Sequence, residues 1–428
     1  MTWLQKIGIS ALSIIVITFF WYSVNWGSQP TPPIQTKKVK SPSRLPVRSV
    51  VPKPRKKRKK PPKPKIKTFT LAAVGDVMMA SATRRPYRRG RDLFKECTPY
   101  LKDFDVVFFN HESAMTDKGK PIKRYIPGKS YFFGTPPSYA KYLKRAGFNM
   151  ASMGNNHASD FGWIGLRETR KHMKRIGVVT SSHYGDIAKM TVRGIKIVMV
   201  AFYISRRGKF NLNDIEGAKK TVKKLAAKHD IVIVSFHGGA EGKSKTRVPR
   251  KLERYLGERR GDVFHFSRGV IDAGADVVLG HGPHVPRAME LYKGRLIAYS
   301  LGNFVTTGFA MSSYYGYAPL LQAELTVDGR LIGGRVVSFL QSWRKNAYLD
   351  KSNKVAKFIH ELGKKDFPKT NLVGPEGKFI IPNKAQVEDV QTFKALWNSV
   401  LPKEDATEPP KNRKMPRKTR NGKKRKKR

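Results

Sequence analysis

Leu71-Ala72-Ala73-Val74-Gly75-Asp76 is a short apolar run that stops at a glycine and a carboxylate. Val106 to Phe109, Ile231 to Phe236 and Val277 to Leu279 are runs of the same kind. They close on Asn110-His111-Glu112, on His237-Gly238-Gly239 and on Gly280-His281-Gly282-Pro283-His284. Phe148 to Met153 reads as a further strand, closing on Gly154-Asn155-Asn156-His157. Short runs rich in β-branched and aromatic residues read as buried strands. In α/β sheets ligands collect at the carboxyl ends of strands, so clusters far apart in sequence can meet at one edge.

Between these runs lie helical patterns. Thr135-Pro136 is expected to start a helix running to Arg145 and ended by Gly147, since Thr caps and Pro suits a first turn. Gly165 to Ile176 and Ile215 to His229 are expected as helices, and Ile195 to Phe202, Arg295 to Ser300 and Gln322 to Val327 as strands. Asp328-Gly329 reads as a hairpin turn. From Lys351 the pattern turns helical and basic, with a last helix near Ala385 to Val400. Alternation of this kind indicates an α/β fold.

Taken singly, each polar cluster has a plain explanation: Gly75-Asp76 as a turn, Asn155-Asn156 as left-handed turn positions, His281-Gly282-Pro283-His284 as a tight turn. Five strand ends all carrying Asp, Glu, Asn or His point instead to a metal site. Imidazole with carboxylate suits Mn, Fe or Zn, whereas an all-oxygen set would suit Mg or Ca. Asp160 is open to two readings, as the partner that orients His157 or as the N-cap of the helix beginning near Trp163. His111 lies between Asn110 and Glu112, but strand alternation points it away from Glu112. Most of His172, His183, His229, His265 and His360 are expected at surface or helical positions. A single cysteine, Cys97, excludes an intrachain disulfide and a Cys-based zinc cluster.

Ala72-Ala73-Val74-Gly75-Asp76-Val77-Met78, Phe109-Asn110-His111-Glu112, Gly154-Asn155-Asn156-His157-Ala158-Ser159-Asp160, Gly280-His281-Gly282-Pro283-His284-Val285 and Tyr299-Ser300-Leu301-Gly302-Asn303-Phe304 share an order and spacing. Together they resemble the CapA-type proteins of bacterial capsule synthesis, or poly-γ-glutamate synthesis accessory proteins, a branch of the calcineurin-like metallophosphoesterase superfamily. The resemblance covers Phe69 to Trp343. It implies a four-layer α/β/β/α sandwich with the site at the loop ends of two central sheets, and divalent transition metal ions (Mn, Fe or Zn), up to two of them. Position by position, Asp76 resembles the first metal ligand, Glu112 a bridging carboxylate and Asn156 the metal-binding Asn. His237, His281 and His284 resemble the imidazole ligands, and His157 the group that protonates a leaving oxygen, with Asp160 its candidate orienter. This chain departs from the superfamily in carrying Met78 where a His is usual, Glu112 for Asp, and two residues between His281 and His284 instead of one.

Charge frames the rest. The net charge is +54 over 428 residues; positions 27–67 hold fifteen Lys or Arg and 411–428 hold twelve, with no acid in either. Half the excess is thus in tails, and the body is still basic, which favours polyanionic surroundings. Ile7 to Trp26 is an apolar run of 20 residues, enough to span a bilayer, ending in the interfacial aromatics Trp21, Tyr22 and Trp26. It is expected as an uncleaved anchor, since no Ala-x-Ala site precedes Gly27. Positions 29–66 alternate Pro with Lys or Arg, an extended linker with a reach of roughly 100 Å at about 3.1 Å per residue. The adjoining apolar run argues against a nucleic-acid-binding arm. Lys37, Lys38, Lys40 and Arg44 would by count keep the following domain cytoplasmic, while the resemblance places it outside; the extracytoplasmic side is the expectation adopted.

The expected organisation is an anchor over 1–26, a linker over 27–67, a metallophosphoesterase-like domain over 68–345, a helical extension over 346–401 and a disordered basic tail over 402–428. The expected function is capsule or anionic-polymer synthesis, export or attachment at the bacterial cytoplasmic membrane, alongside the capsule machinery and an anionic polymer or envelope glycan. A non-catalytic, polymer-binding scaffold is the alternative. Arg84, Arg85, Arg88, Arg89 and Arg91 form a basic loop with either a substrate-gripping or a solvated role.

Overall fold

The structure, a computed structural model, describes residues 67–80, 91–123, 126, 131–205, 207–306, 309, 311–342 and 346–381. The expected anchor, the linker up to residue 66, the arginines 84–89, the helix near 385–400 and the tail lie outside the described residues.

Two sheets carry the fold. The larger runs in the order Tyr348–Leu349, Leu331–Leu340, Tyr317–Thr326, Thr68–Val77, Val106–His111, Met150–Ser152, Val179–Ser181, with Asn303–Val305 paired beside the end of Thr68–Val77. The smaller runs Met289–Tyr292, Arg295–Ala298, Val277–His281, Ile231–His237, Ile195–Tyr203, Ala188–Val192. Central strands are parallel in both; antiparallel pairs close both edges of the smaller sheet and one edge of the larger, whose other edge is the parallel pair of Met150–Ser152 with Val179–Ser181. Parallel pairing puts carboxyl ends side by side: Asp76 pairs with Asn110 and with Asn303, and His281 with His237. Gly75 makes one of these pairings possible. A Cβ there would stand 2.0 Å from the Gly302 carbonyl, whose oxygen accepts the Asp76 N–H at 2.8 Å.

Alternation along the strands divides the apolar side chains among three clusters. Phe69, Leu71 and Ala73 meet Ile197, Met199, Ile231, Ile233, Val277 and Leu279, so this cluster lies between the sheets. Ala72 and Val74 point the other way, onto Leu101, Tyr142, Leu143 and Met173 of helices over the larger sheet. Val198, Val200, Val232 and Val234 pack on Ala218, Val222, Phe266 and Val270 of helices Ile215–Ala226 and Val263–Asp272 over the smaller sheet. The result is a mixed α/β fold. Among the described residues no helix is long and apolar enough to cross a membrane.

Three details differ from expectation. Thr135 caps no helix; Gly134–Thr135 is a short strand beside Ala114–Met115, and Thr135 Oγ1 lies 2.9 Å from Ser113 Oγ. The helix proper is Ala140–Ala146, and Gly147 closes it at φ 91° as expected. His183 is buried, not superficial, packed between Tyr184 and Tyr203 with ring centroids 4.1 and 5.1 Å away. Past residue 345 the chain stays on the same sheets. Tyr348–Leu349 extends the larger sheet, and the helix Lys354–Asp366 puts Val355, Ala356 and Ile359, one apolar face, into the cluster between the sheets.

Candidate metal centre

Asp76 ends the first strand fully buried. Its Oδ1 accepts from Asn110 Nδ2 at 2.8 Å and faces His281 Nδ1 at 3.1 Å, while Oδ2 stands 3.0 Å from His284 Nδ1. Glu112 follows the second strand; its Oε1 lies 3.5 Å from His237 Nε2 and 3.7 Å from His284 Nε2. Each of Asp76, Glu112 and His284 offers one donor atom within 4.8 Å of the others'. Asn303 Oδ1 faces the same His284 Nδ1 at 3.1 Å.

The residues fit a cation on one observation. Both Glu112 oxygens, Asn156 Oδ1, His237 Nε2 and His281 Nε2 are buried with no hydrogen-bond partner. A buried polar atom left unpaired costs roughly 1–3 kcal/mol, so several in one cluster call for a common partner. Carboxylate, amide oxygen and imidazole make a donor set for a divalent transition ion. Met78, two residues past Asp76, is fully buried, and a soft thioether adds no donor suited to Mn, Fe or Zn.

Electrostatics agree. Burial raises the Asp76 carboxyl, but hydrogen bonds and charge from His281 and His284 outweigh it and hold the group well below the usual carboxylate range. Glu112 goes the other way, pushed well up by burial and then by the Asp76 charge beside it. Two carboxylates this close resist joint ionisation until a cation joins them. Burial disfavours the His284 imidazolium, yet Glu112 and Asp76 raise it to about 10. His237 is driven well below its ordinary value, mainly by burial, which keeps its ring neutral and able to ligate.

Asn156 belongs to the turn after Met150–Ser152. Asn155 pins that turn, donating from Nδ2 to Asn110 Oδ1 and to the His111 carbonyl, both at 3.0 Å, and accepting the His157 N–H at 3.1 Å. His157 Nδ1 is 2.7 Å from Asp160 Oδ2. Burial lowers the imidazole's affinity for a proton, and the Asp160 charge opposes that. Of the two readings of Asp160, the helix cap fails. Helix Gly162–Arg175 follows Phe161 with no side-chain cap, and Asp160 instead receives Phe133 N–H at 2.7 Å and meets Lys123 Nζ at 2.5 Å. His111 points out of the cluster as expected, its Nε2 3.3 Å from Ser113 Oγ.

Several residues that build the site carry no signal in the local sequence. Lys123 also donates to the Asn156 carbonyl at 2.7 Å. Arg260 is buried, donates from Nε to the Gly239 carbonyl at 3.0 Å and pairs with Glu241 at 2.8 Å. Asn110, Asn155 and Asn303 are different, because they sit inside the polar clusters, where the repeated asparagines were the available signal.

The sequence profile described as bacterial capsule synthesis protein PGA_cap matches residues 70–307. The capsule biosynthesis protein CapA of Bacillus anthracis is 30% identical over 264 residues, covering 55% of this chain and 59% of that protein. The PGA biosynthesis protein CapA of Bacillus subtilis (strain 168) is 30% identical over 266 residues, covering 56% of this chain and 66% of that one. This chain thus spans less than two thirds of the length of either relative. Among solved structures, a novel phosphatase from Mycoplasma pneumoniae aligns with TM-score 0.42 at 16% identity, over 64% of this chain and 94% of that chain. By the extent of the profile match, the chain belongs to the bacterial capsule synthesis protein PGA_cap family, the CapA-type proteins.

Proposed function

We propose that this protein is an envelope accessory protein for making, exporting or attaching an anionic, poly-γ-glutamate-like polymer, with a metal-dependent, phosphoesterase-like hydrolytic centre. The observation that carries the proposal is the set of buried, unpartnered donors on Glu112, Asn156, His237 and His281, with Asp76 and His284 among them. The three apolar clusters support a four-layer α/β/β/α metallophosphoesterase-like sandwich around it.

Asp76, Glu112, Asn156, His237, His281 and His284 would hold the ion or ions, Mn, Fe or Zn. Bound there, such an ion supplies Lewis-acid polarisation of the scissile group. The remaining work falls to side chains. The Asp160 carboxylate accepts Nδ1–H of His157, which fixes the tautomer and leaves Nε2 to hold or deliver a proton at the leaving oxygen. Lys123 keeps Asp160 in place. Phe133, edge-on to His157 at 4.6 Å, limits the ring's motion and its access to water.

The test is hydrolysis of aryl phosphodiesters and of γ-linked glutamate polymer by protein loaded with each metal. Turnover that needs metal and vanishes in Asp76→Asn supports the centre; metal-independent or absent turnover removes the hydrolase part. A scaffold reading, in which one ion is structural and the basic body holds polymer, is favoured at one point by Met78, which leaves a second ion short of a ligand.

The proposal also sets the chain in the bacterial cytoplasmic membrane by one pass of Ile7 to Trp26, the domain outside and adjoining the capsule machinery. Protease added to intact spheroplasts should remove the domain. Digestion only after lysis would place it in the cytoplasm and revive nucleic acid as a partner.

A further inference from the structure

We propose that a cavity adjoining the metal centre is a separate binding subsite for a carboxylate-bearing segment of polymer. The inference rests on the polymer reading above and not on hydrolysis. The cavity measures about 460 Å³ and is lined by Lys243, Ser244, Ser312, Ser313, Tyr314 and Tyr317.

Both walls are tied, one residue away, to the loop that carries His284. On one side Gly242, next to Lys243, donates its N–H to the Pro283 carbonyl at 3.4 Å. On the other, the carbonyl of Tyr315, next to Tyr314, accepts from Asn303 Nδ2 at 3.2 Å, and Asn303 holds His284. The Phe309 ring joins the two sides, 4.7 Å from the His284 ring and 5.1 Å from that of Tyr315. A chain engaged at the cluster therefore has this cavity as its neighbour.

The lining specifies the guest. Lys243 is exposed, and its ammonium has no ion pair among the described residues; Glu241, two residues earlier, is taken by Arg260 at 2.8 Å. Tyr314 stacks on Phe358 at 4.4 Å, and Tyr317 meets both rings edge-on at 5.4 and 5.3 Å, which makes a fixed apolar wall. One cation, serine hydroxyls and an aromatic wall suit a single carboxylate on a methylene-bearing backbone. A phosphate-dense chain would need several cations in the same space.

The experiment is fluorescence anisotropy with a labelled γ-linked glutamate oligomer and the detergent-solubilised full chain, with polyphosphate as the second probe. The basic tails are common to every variant, so their contribution cancels. Lys243→Gln is expected to weaken oligomer binding about three- to tenfold and to leave polyphosphate binding unchanged. Tyr314→Ala should also weaken the oligomer and leave polyphosphate binding unchanged. Oligomer binding that is unchanged in both Lys243→Gln and Tyr314→Ala overturns the subsite while the polymer reading stands. A wild-type chain that does not bind the oligomer overturns both.

Discussion

Replacing Arg287 with Met should destabilise the protein by about 3–5 kcal/mol, because it strands a buried carboxylate. Arg287 is fully buried and forks onto Glu253, Nη1 to Oε1 and Nη2 to Oε2, both at 2.8 Å; its Nε donates to the Lys245 carbonyl at 2.9 Å. Glu253 in turn accepts the Ala240 N–H at 3.0 Å. This pair fastens the loop after His237 to the loop after His284, so the change should loosen two imidazole ligands as well as the fold. For a domain of this size 1 kcal/mol shifts Tm by roughly 2–4 °C, which gives a fall of roughly 6–20 °C. Thermal unfolding followed by circular dichroism measures it. Glu253→Leu combined with Arg287→Met should recover a large part of the loss, since no charge then stays buried without a partner. A single variant that loses less than about 1 kcal/mol, or a double variant that loses the sum of the two, would refute this view of the clamp.

Asp160→Asn should keep the metal content and lower turnover by about 10²–10⁴, the range for a misplaced general acid or base; unchanged kcat would remove His157 and Asp160 from the chemistry. Asp276, raised by burial from 3.8 to about 6, is protonated more readily folded than unfolded. Its stabilisation is complete below about pH 4 and lost as pH rises through about 6, so Asp276→Asn should abolish up to roughly 3 kcal/mol of that fall. Urea titrations between pH 4 and 7 that give parallel curves for both proteins would contradict it. Gly75→Ala sets a Cβ against the Gly302 carbonyl and should cost about 1–3 kcal/mol or more, with weaker metal binding because Asp76 shifts; an unchanged Tm counts against the close approach.

The strands that bring ligands to the site were readable because each is a dense apolar run closed by Gly, Asn or His. What escaped were elements with mixed signals. Val263–Asp272 is rich in aromatic and β-branched residues and reads like a strand, yet Asp262 caps it as a helix by accepting the His265 N–H at 3.0 Å. Leu331–Leu340 contains Gly333 and Gly334, which weaken a strand pattern although nine of its ten residues pair with Tyr317–Leu325. In the site, Asp76, Glu112, His237, His281 and His284 come together from four separate strand ends, as parallel order predicts. Lys123 and the Arg287–Glu253 clamp were invisible because their partners lie 37 and 34 residues away, in contacts that only tertiary packing creates. Asp160 shows the same limit from the other side, since a local capping rule pointed to the helix while His157 and Lys123 held the carboxylate.

The most direct measurement is elemental analysis of the purified full chain beside its Asp76→Asn and His281→Ala variants. One to two Mn, Fe or Zn ions per wild-type chain, lost in both variants while the fold persists by circular dichroism, is the predicted result. A wild-type chain without transition metal after growth in metal-supplemented medium, or variants that retain it, would contradict a metal centre at these residues.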